Sequence, residues 1–237
     1  MRSGWAWDHG CGLCAWRSHA CFPTFAAAPR DEYRKALKVV SEAVQNGVPS
    51  VADLHLEGPF LSPKRPSIQN PDLIRPLSQS DVDAQCGASQ LLRILLTLAP
   101  IEQEPVLLRQ LCECGIALFA GHKEASASDM ETARSAGMTG VTHLFNTMRQ
   151  MIPRGPGIVG AMLSSGDYYA GIIADDHHVH LMNWSLAVQT MPDHLWLVSD
   201  AMQIMNGSSQ DMKLYGTRSL YRTGVCWERM AHLVAHT

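Results

Sequence analysis

From Ala20 onward, short apolar runs alternate with segments whose apolar residues recur at helical spacing. Cys21 to Phe25 reads as a short strand. Pro29-Arg30-Asp31-Glu32 opens a helix, its acidic residues placed to complement the helix dipole. Tyr33, Leu37, Val40 and Val44 mark the apolar face of that helix, and Gly47 ends it. Leu54-His55-Leu56-Glu57 is the next strand, followed by a long polar loop with Pro63, Pro66, Pro71 and Pro76. Ile94 to Leu98 predicts a third strand, and a helix spans roughly Pro105 to Cys114. Ile116–Ala120, Met138–Thr142, Tyr168–Ala174 and Leu195–Ser199 supply the remaining strands. Between them lie a helix capped by Ser126 and running through Ala133 to Gly137, a short helix near Val159–Leu163, and another near Leu181–Val188. Repeated alternation of this kind predicts a parallel sheet with helices outside it.

Five of the apolar runs end in a residue that binds metals or moves protons: Glu57, His122, His143, Asp175 with His178, and Asp200. The C-terminal ends of parallel strands lie on one face, so these side chains converge. An open doubly wound sheet gathers its ligands mainly at one switch point, whereas the mouth of a barrel collects every strand end. The pattern therefore predicts an α/β fold of the (β/α)-barrel type, with at least one strand not accounted for.

Glu57, His122 and His143 make a mixed nitrogen and oxygen ligand set for one divalent metal ion. Zinc suits it, and iron, cobalt and manganese are tolerated. Such an ion lowers the pKa of water to near 7. Asp200 is then placed to take the water's proton and return it to a leaving amine. His178 is the candidate for stabilising the oxyanion, although His177 and His180 crowd beside it and spacing alone does not choose among them. Singly, each residue also has an ordinary reading, as a turn carboxylate or a satisfied strand-end histidine. Asn146, Thr147 and Arg154 follow His143 in a loop of glycines and prolines. They suit an anionic group such as phosphate, and equally a solvated loop with one arginine.

Composition narrows the partners. The chain has 237 residues, 46% of them hydrophobic, enough for one large core. A net charge of −3 without Lys/Arg runs argues against nucleic acid and anionic membranes. No apolar stretch is long enough to span a bilayer, and Asp8, His9 and Arg17 interrupt any signal-peptide core. Seven cysteines without framework spacing predict reduced thiols and a cytoplasmic protein. Cys112 and Cys114 read as buried thiols. Residues 1–18 form an atypical leader with a lone CxxC at Cys11 and Cys14.

The segments HLEGPFLSPKR, GHKEAS, THLFNTM, GIIADDHHVH and LWLVSDAM resemble those of N-acetylglucosamine-6-phosphate deacetylases of the amidohydrolase superfamily, in order and in spacing. The resemblance, from Ala20 to about Gly224, implies a metal-dependent TIM-like (β/α)8 barrel that hydrolyses the acetamide of N-acetylglucosamine 6-phosphate to glucosamine 6-phosphate and acetate. It also implies roles: Glu57, His122 and His143 as metal ligands, Asp200 as acid/base, His178 on the substrate carbonyl, and Asn146, Thr147 and Arg154 as substrate contacts. It implies a homodimer, in which Arg154 reaches the neighbouring subunit's site. Some features depart from the family. No first-strand motif precedes Ala20, so the expected barrel lacks its first strand and the small β-sandwich domain. Gln69 stands where a histidine is usual, Asp176 where a glycine is usual, and Cys226 to Thr237 does not match. The expected organisation is a leader at 1–18, a catalytic barrel at 19–213 and a divergent tail at 214–237. Two alternatives stand beside the deacetylase: a catalytically inactive fragment, and an amidohydrolase acting on a cyclic amide or aminopurine, which the Asn146–Arg154 loop disfavours.

Overall fold

Each apolar run folds as a strand that bonds only to its neighbours in sequence. The computed structural model describes residues 21–64, 66, 67, 69–121 and 125–200, together with strand segments at 211–214, 217–222 and 225–228. Strands β1 (Thr24–Ala26), β2 (Leu54–Glu57), β3 (Ile94–Leu98), β4 (Ala117–Ala120), β5 (Gly140–Val141), β6 (Tyr169–Ile173) and β7 (Leu195–Val198) form one seven-stranded sheet in sequence order. Every pairing in it is parallel. Helices α1 (Arg30–Gln45), α2 (Gln79–Ser89), α3 (Pro105–Glu113), α4 (Ala127–Ser135), α5 (Gly157–Ser165) and α6 (Leu181–Thr190) alternate with the strands.

Side chains alternate faces along each strand. Leu54 and Leu56 of β2 are fully buried and join the same core as Tyr33, Leu37 and Val40 of α1. His55 and Glu57 therefore take the opposite face. In a flat sheet, β2 and β5 would lie about 14 Å apart, three strand spacings. Yet Glu57 Oε1 and His143 Nε2, just beyond β5, are 3.1 Å apart. Phe119 of β4 and Trp196 of β7 also pack, with ring centroids 5.3 Å apart. The sheet is thus strongly curled, with this second face turned inward. Gly140 makes room for the curl, because a Cβ there would sit 2.6 Å from the Phe119 ring.

The described strands form an open, curled half-barrel with helices around it, and no full (β/α)8 ring closes among them. β1 and β7 are its edges, and Leu197 of β7 remains 67% exposed. The segments Asp211–Leu214 (β8), Thr217–Arg222 (β9) and Val225–Glu228 (β10) pair antiparallel in a second, three-stranded sheet that the sequence pattern did not predict. No helix among the described residues is long and apolar enough to cross a membrane.

Two further expectations are corrected. The first is the passage from the proline-rich loop to β3, for which the sequence pattern predicts no helix and which contains α2. Its buried face includes Asp81 and Gln85 beside Val82, so it lacks an apolar stripe. Asp81, 2% exposed, holds the start of this helix. It accepts bonds from Ser78 N (3.1 Å), from Arg75 Nη1 (2.6 Å) and from Arg75 Nη2 (2.9 Å). The Arg75 guanidinium lies over the Phe60 ring, 5.0 Å from its centroid. The second is the reading of all cysteines as reduced thiols. Cys86 of α2 and Cys114, which ends α3, form a disulfide with Cα atoms 5.4 Å apart. These two helices pack side by side, which a sequence separation of 28 residues conceals. Cys112 carries a free thiol, and Cys11 and Cys14 lie outside the described residues. Cysteine usage therefore carries no argument for a reducing compartment.

Burial pushes the Asp81 carboxyl up, but hydrogen bonds from Arg75 and Ser78 outweigh it and hold the pKa below the ordinary 3.8. The unfolded chain then takes up this proton first as pH falls. The stabilisation is present above the ordinary value and is lost as pH drops through the native one. Arg75→Ala should lower stability at pH 7 by about 3 kcal/mol, since it strands a buried charge. In urea titrations its deficit should shrink below about pH 4. A variant as stable as the parent at pH 7 would remove the clamp from this description.

Candidate active site at the strand ends

Glu57 closes β2, and Gly58, with φ 89°, turns the chain into a cis Gly58–Pro59 bond. His143 follows β5 by two residues and carries φ 38°. Both side chains are buried, Glu57 at 7% and His143 at 4% exposure. Burial alone pushes the His143 pKa down. The hydrogen bond and charge of Glu57, with a further push from the Asp200 charge, more than offset this and hold it up to about 9. Asp200, two residues past β7, therefore belongs to the same electrostatic group, and it too sits in the left-handed region at φ 47°. The structure thus puts Glu57 and His143 in contact, with Asp200 near enough for its charge to act on the imidazole. His122 lies outside the described residues. Among the described residues no cluster of three or more His, Cys, Asp or Glu is assembled for a metal ion.

A second pair forms beyond β6. Asp175 Oδ1 accepts from the backbone N–H of His177 and of His178, both at 2.9 Å, and Oδ2 meets His178 Nδ1 at 2.7 Å. Partial burial opposes ionisation here, but these bonds dominate and hold Asp175 down to about 2. The pairing turns a hydrogen on His178 Nδ1 toward the carboxylate. Nε2 is left to accept when the ring is neutral and to donate as the imidazolium. Asp175 orients a candidate histidine, a role not read from the sequence, where it stood only as a strand-end acid. Of the crowded histidines, His178 is the one whose ring bonds to Asp175, while His180 Nδ1 accepts from Met182 N at 3.2 Å. Asp176 adopts φ 63°, a backbone that glycine takes without strain and aspartate tolerates better than most residues.

The loop after β5 is strained. His143, Phe145 and Thr147 all have positive φ, at 38°, 78° and 49°, each costing on the order of 1–3 kcal/mol. It is held by Leu144 N donating to Gly171 O of β6 (2.7 Å) and by Gln150 Nε2 donating to Phe145 O (2.6 Å). Asn146 N donates to His143 O (2.9 Å), and the Thr147 hydroxyl oxygen is buried with no hydrogen-bond partner among the described residues. Arg154 is exposed in a tight turn closed by reciprocal 3.0 Å bonds between Ile152 and Gly155. Gln69, 2% exposed, accepts from Ala27 N at 2.8 Å, so this glutamine ties its loop to the end of β1.

No protein-family model matches the chain. An N-acetylgalactosamine-6-phosphate deacetylase of Escherichia coli O157:H7 is 34% identical over 185 residues, covering 76% of this chain and 49% of the relative. An N-acetylglucosamine-6-phosphate deacetylase of Danio rerio is 34% identical over 194 residues, covering 77% and 48%. A mutant N-acetyl-D-glucosamine-6-phosphate deacetylase from Mycobacterium smegmatis, in complex with N-acetyl-D-glucosamine-6-phosphate, has the same fold. Its TM-score is 0.82 at 26% identity, over 94% of this chain and 59% of that one. The curled parallel sheet with its helices is what that structure shares with the chain. The chain belongs to the N-acetylglucosamine-6-phosphate deacetylase family, and it spans about half the length of the curated relatives it matches.

Without metal, the raised His143 pKa stabilises the fold fully below the ordinary 6.5, and this contribution is lost as pH rises through about 9. Glu57→Gln should bring the His143 titration, followed by NMR of its ring proton, down to or below 6.5, because burial persists. A titration still centred near 9 would show that Glu57 is not what holds the proton.

Proposed function

We propose that the chain carries a metal-dependent deacetylase site, which hydrolyses the acetamide of N-acetylglucosamine 6-phosphate to glucosamine 6-phosphate and acetate. The observation that carries this reading is the buried Glu57–His143 contact, 3.1 Å across the curled sheet, with the Asp200 charge acting on the imidazole. A carboxylate and an imidazole already in contact, sharing a proton that a cation would replace, fit one divalent ion. Glu57 and His143 would hold it with His122 as the third ligand. Zinc, or iron, cobalt or manganese, would supply Lewis acidity toward the amide carbonyl and acidify water.

The chain's own residues do the rest. Asp200 accepts a proton from the attacking water and delivers it to the departing amine, so that glucosamine 6-phosphate leaves neutral at nitrogen. His178, oriented by Asp175, donates to the carbonyl oxygen as charge develops there. The buried Thr147 hydroxyl and Asn146 offer hydrogen bonds to the sugar. Arg154 supplies a guanidinium for the phosphate, where a bidentate bond is geometrically favoured. Its exposure at a loop tip suits reaching a second copy's site, and a homodimer is part of the proposal. The relatives' names cover both N-acetylglucosamine and N-acetylgalactosamine 6-phosphates, sugars that differ only at C4 and share the two groups this site addresses.

Acetate release from each phosphorylated sugar by the zinc-loaded chain tests the reading. Turnover is expected, with unphosphorylated N-acetylglucosamine a far poorer substrate. Asp200→Asn should lower kcat by roughly 10²–10⁴-fold while metal content stays unchanged. Absence of acetate from metal-loaded, folded chain would reject the deacetylase activity, and loss of metal in Asp200→Asn would reject its role as the proton carrier.

A further inference from the structure

A second polar layer lies on the inner face of the sheet, directly below the Glu57–His143 contact. His55 precedes Glu57 by two residues on β2, on the same face and about 7 Å down the strand. Its Nδ1 is 3.0 Å from Thr24 Oγ1 of β1, and its Nε2 is 2.8 Å from Thr97 Oγ1 of β3. The Thr97 hydroxyl is hydrogen-bonded in turn to the hydroxyl of Thr142, the residue immediately before His143. Thr97 is also the register partner of Glu57, and its carbonyl accepts from Gly58 N at 3.1 Å. A circuit results. It runs down β2 from Glu57 to His55, across to Thr97 and Thr142, up to His143, and back to Glu57 through the 3.1 Å contact.

The crossing from Thr97 to Thr142 passes over β4, and Gly121 at the end of that strand leaves it open. A Cβ on Gly121 would fall inside contact distance of Thr97 Cγ2 and lie 3.7 Å from Thr142 Cβ. The interior of such a barrel is ordinarily filled by branched apolar side chains. A buried imidazole and the buried Thr97 hydroxyl, with the half-buried Thr142 hydroxyl beside them, add no packing that valine or leucine would not supply, and they must be kept hydrogen-bonded. Their polarity therefore serves the layer above.

We propose that His55 is a positioning residue: with Thr97 and Thr142 it sets the spacing and orientation of Glu57 and His143 as metal ligands. This inference rests on the metal-dependent reading above. Support of ligands from outside the coordination sphere is worth about 10–100-fold in metal affinity where it has been removed.

Cobalt(II) titration of the full chain, read by visible absorption and by the dissociation constant, tests it. His55→Leu and Thr142→Val should each weaken cobalt binding about 10–100-fold and alter the absorption band. His55→Gln, which keeps a donor and an acceptor, should recover most of the affinity. Thr139→Val is the control, since its hydroxyl donates to Leu118 O (3.1 Å) at the other end of β5, and it should bind as the parent does. If His55→Leu does not fold, Thr142→Val, which exchanges one hydroxyl for a methyl, decides. Parent-like affinity in both variants, or an equal loss in Thr139→Val, overturns the positioning role while leaving the metal site intact. A parent chain that binds no cobalt overturns the metal reading and this inference with it.

Discussion

A carboxylate on β2 and an imidazole beyond β5 touch only because the sheet between them curls, and the packing on its two faces accommodates that curl. Outside, Leu54, Leu56, Leu96, Leu98, Leu118, Val141, Ala170 and Ile172 form a continuous apolar surface against the helices. Inside, glycine at 140 clears the way for the Phe119 ring, which then reaches Trp196. The strands wrap around their inner face, and polar groups at their ends are carried toward one axis. Straightening the sheet would return Glu57 and His143 to about 14 Å apart, three strand spacings, and no site would remain.

That geometry is held at a cost which the rest of the fold offsets. The chain leaves β5 through non-glycine residues in left-handed conformations, and Asp176 and Asp200 repeat the pattern beyond β6 and β7. Strained backbone concentrated at strand ends is what an assembled site demands, because side chains must turn inward within a residue or two of the sheet. The helical layer supplies the opposing stability through its buried apolar faces. The Arg75–Asp81 clamp and the bond between Gln69 and Ala27 fix the long loop that returns over the end of β2.

Local pattern made the parallel strands legible, since each is an apolar run of strand length bounded by a turn or a helix. Glu57, His143 and Asp200 were legible for the same reason, as polar residues where such a run stops. What depended on contacts between distant segments was not. α2 presents Asp81 and Gln85 to the interior, so no apolar stripe announces it, and the Cys86–Cys114 pairing depends on how two helices pack. His55 is the instructive case. Its place two residues before Glu57 puts it on the inner face by strand alternation alone, but its partners Thr24 and Thr97 stand on two other strands. Asp175 likewise read only as a strand-end acid, until its bonds to His178 gave it an orienting role.

X-ray absorption at the zinc edge of the metal-loaded chain tests most directly whether this curled sheet assembles a metal centre. A shell of nitrogen and oxygen donors at about 2.0–2.1 Å, with the outer scattering of imidazole rings and no sulfur, is the expected result. Sulfur at about 2.3 Å, or a water-only shell without imidazole scattering, would contradict it, because the ion would then be held by cysteines or by no built site at all.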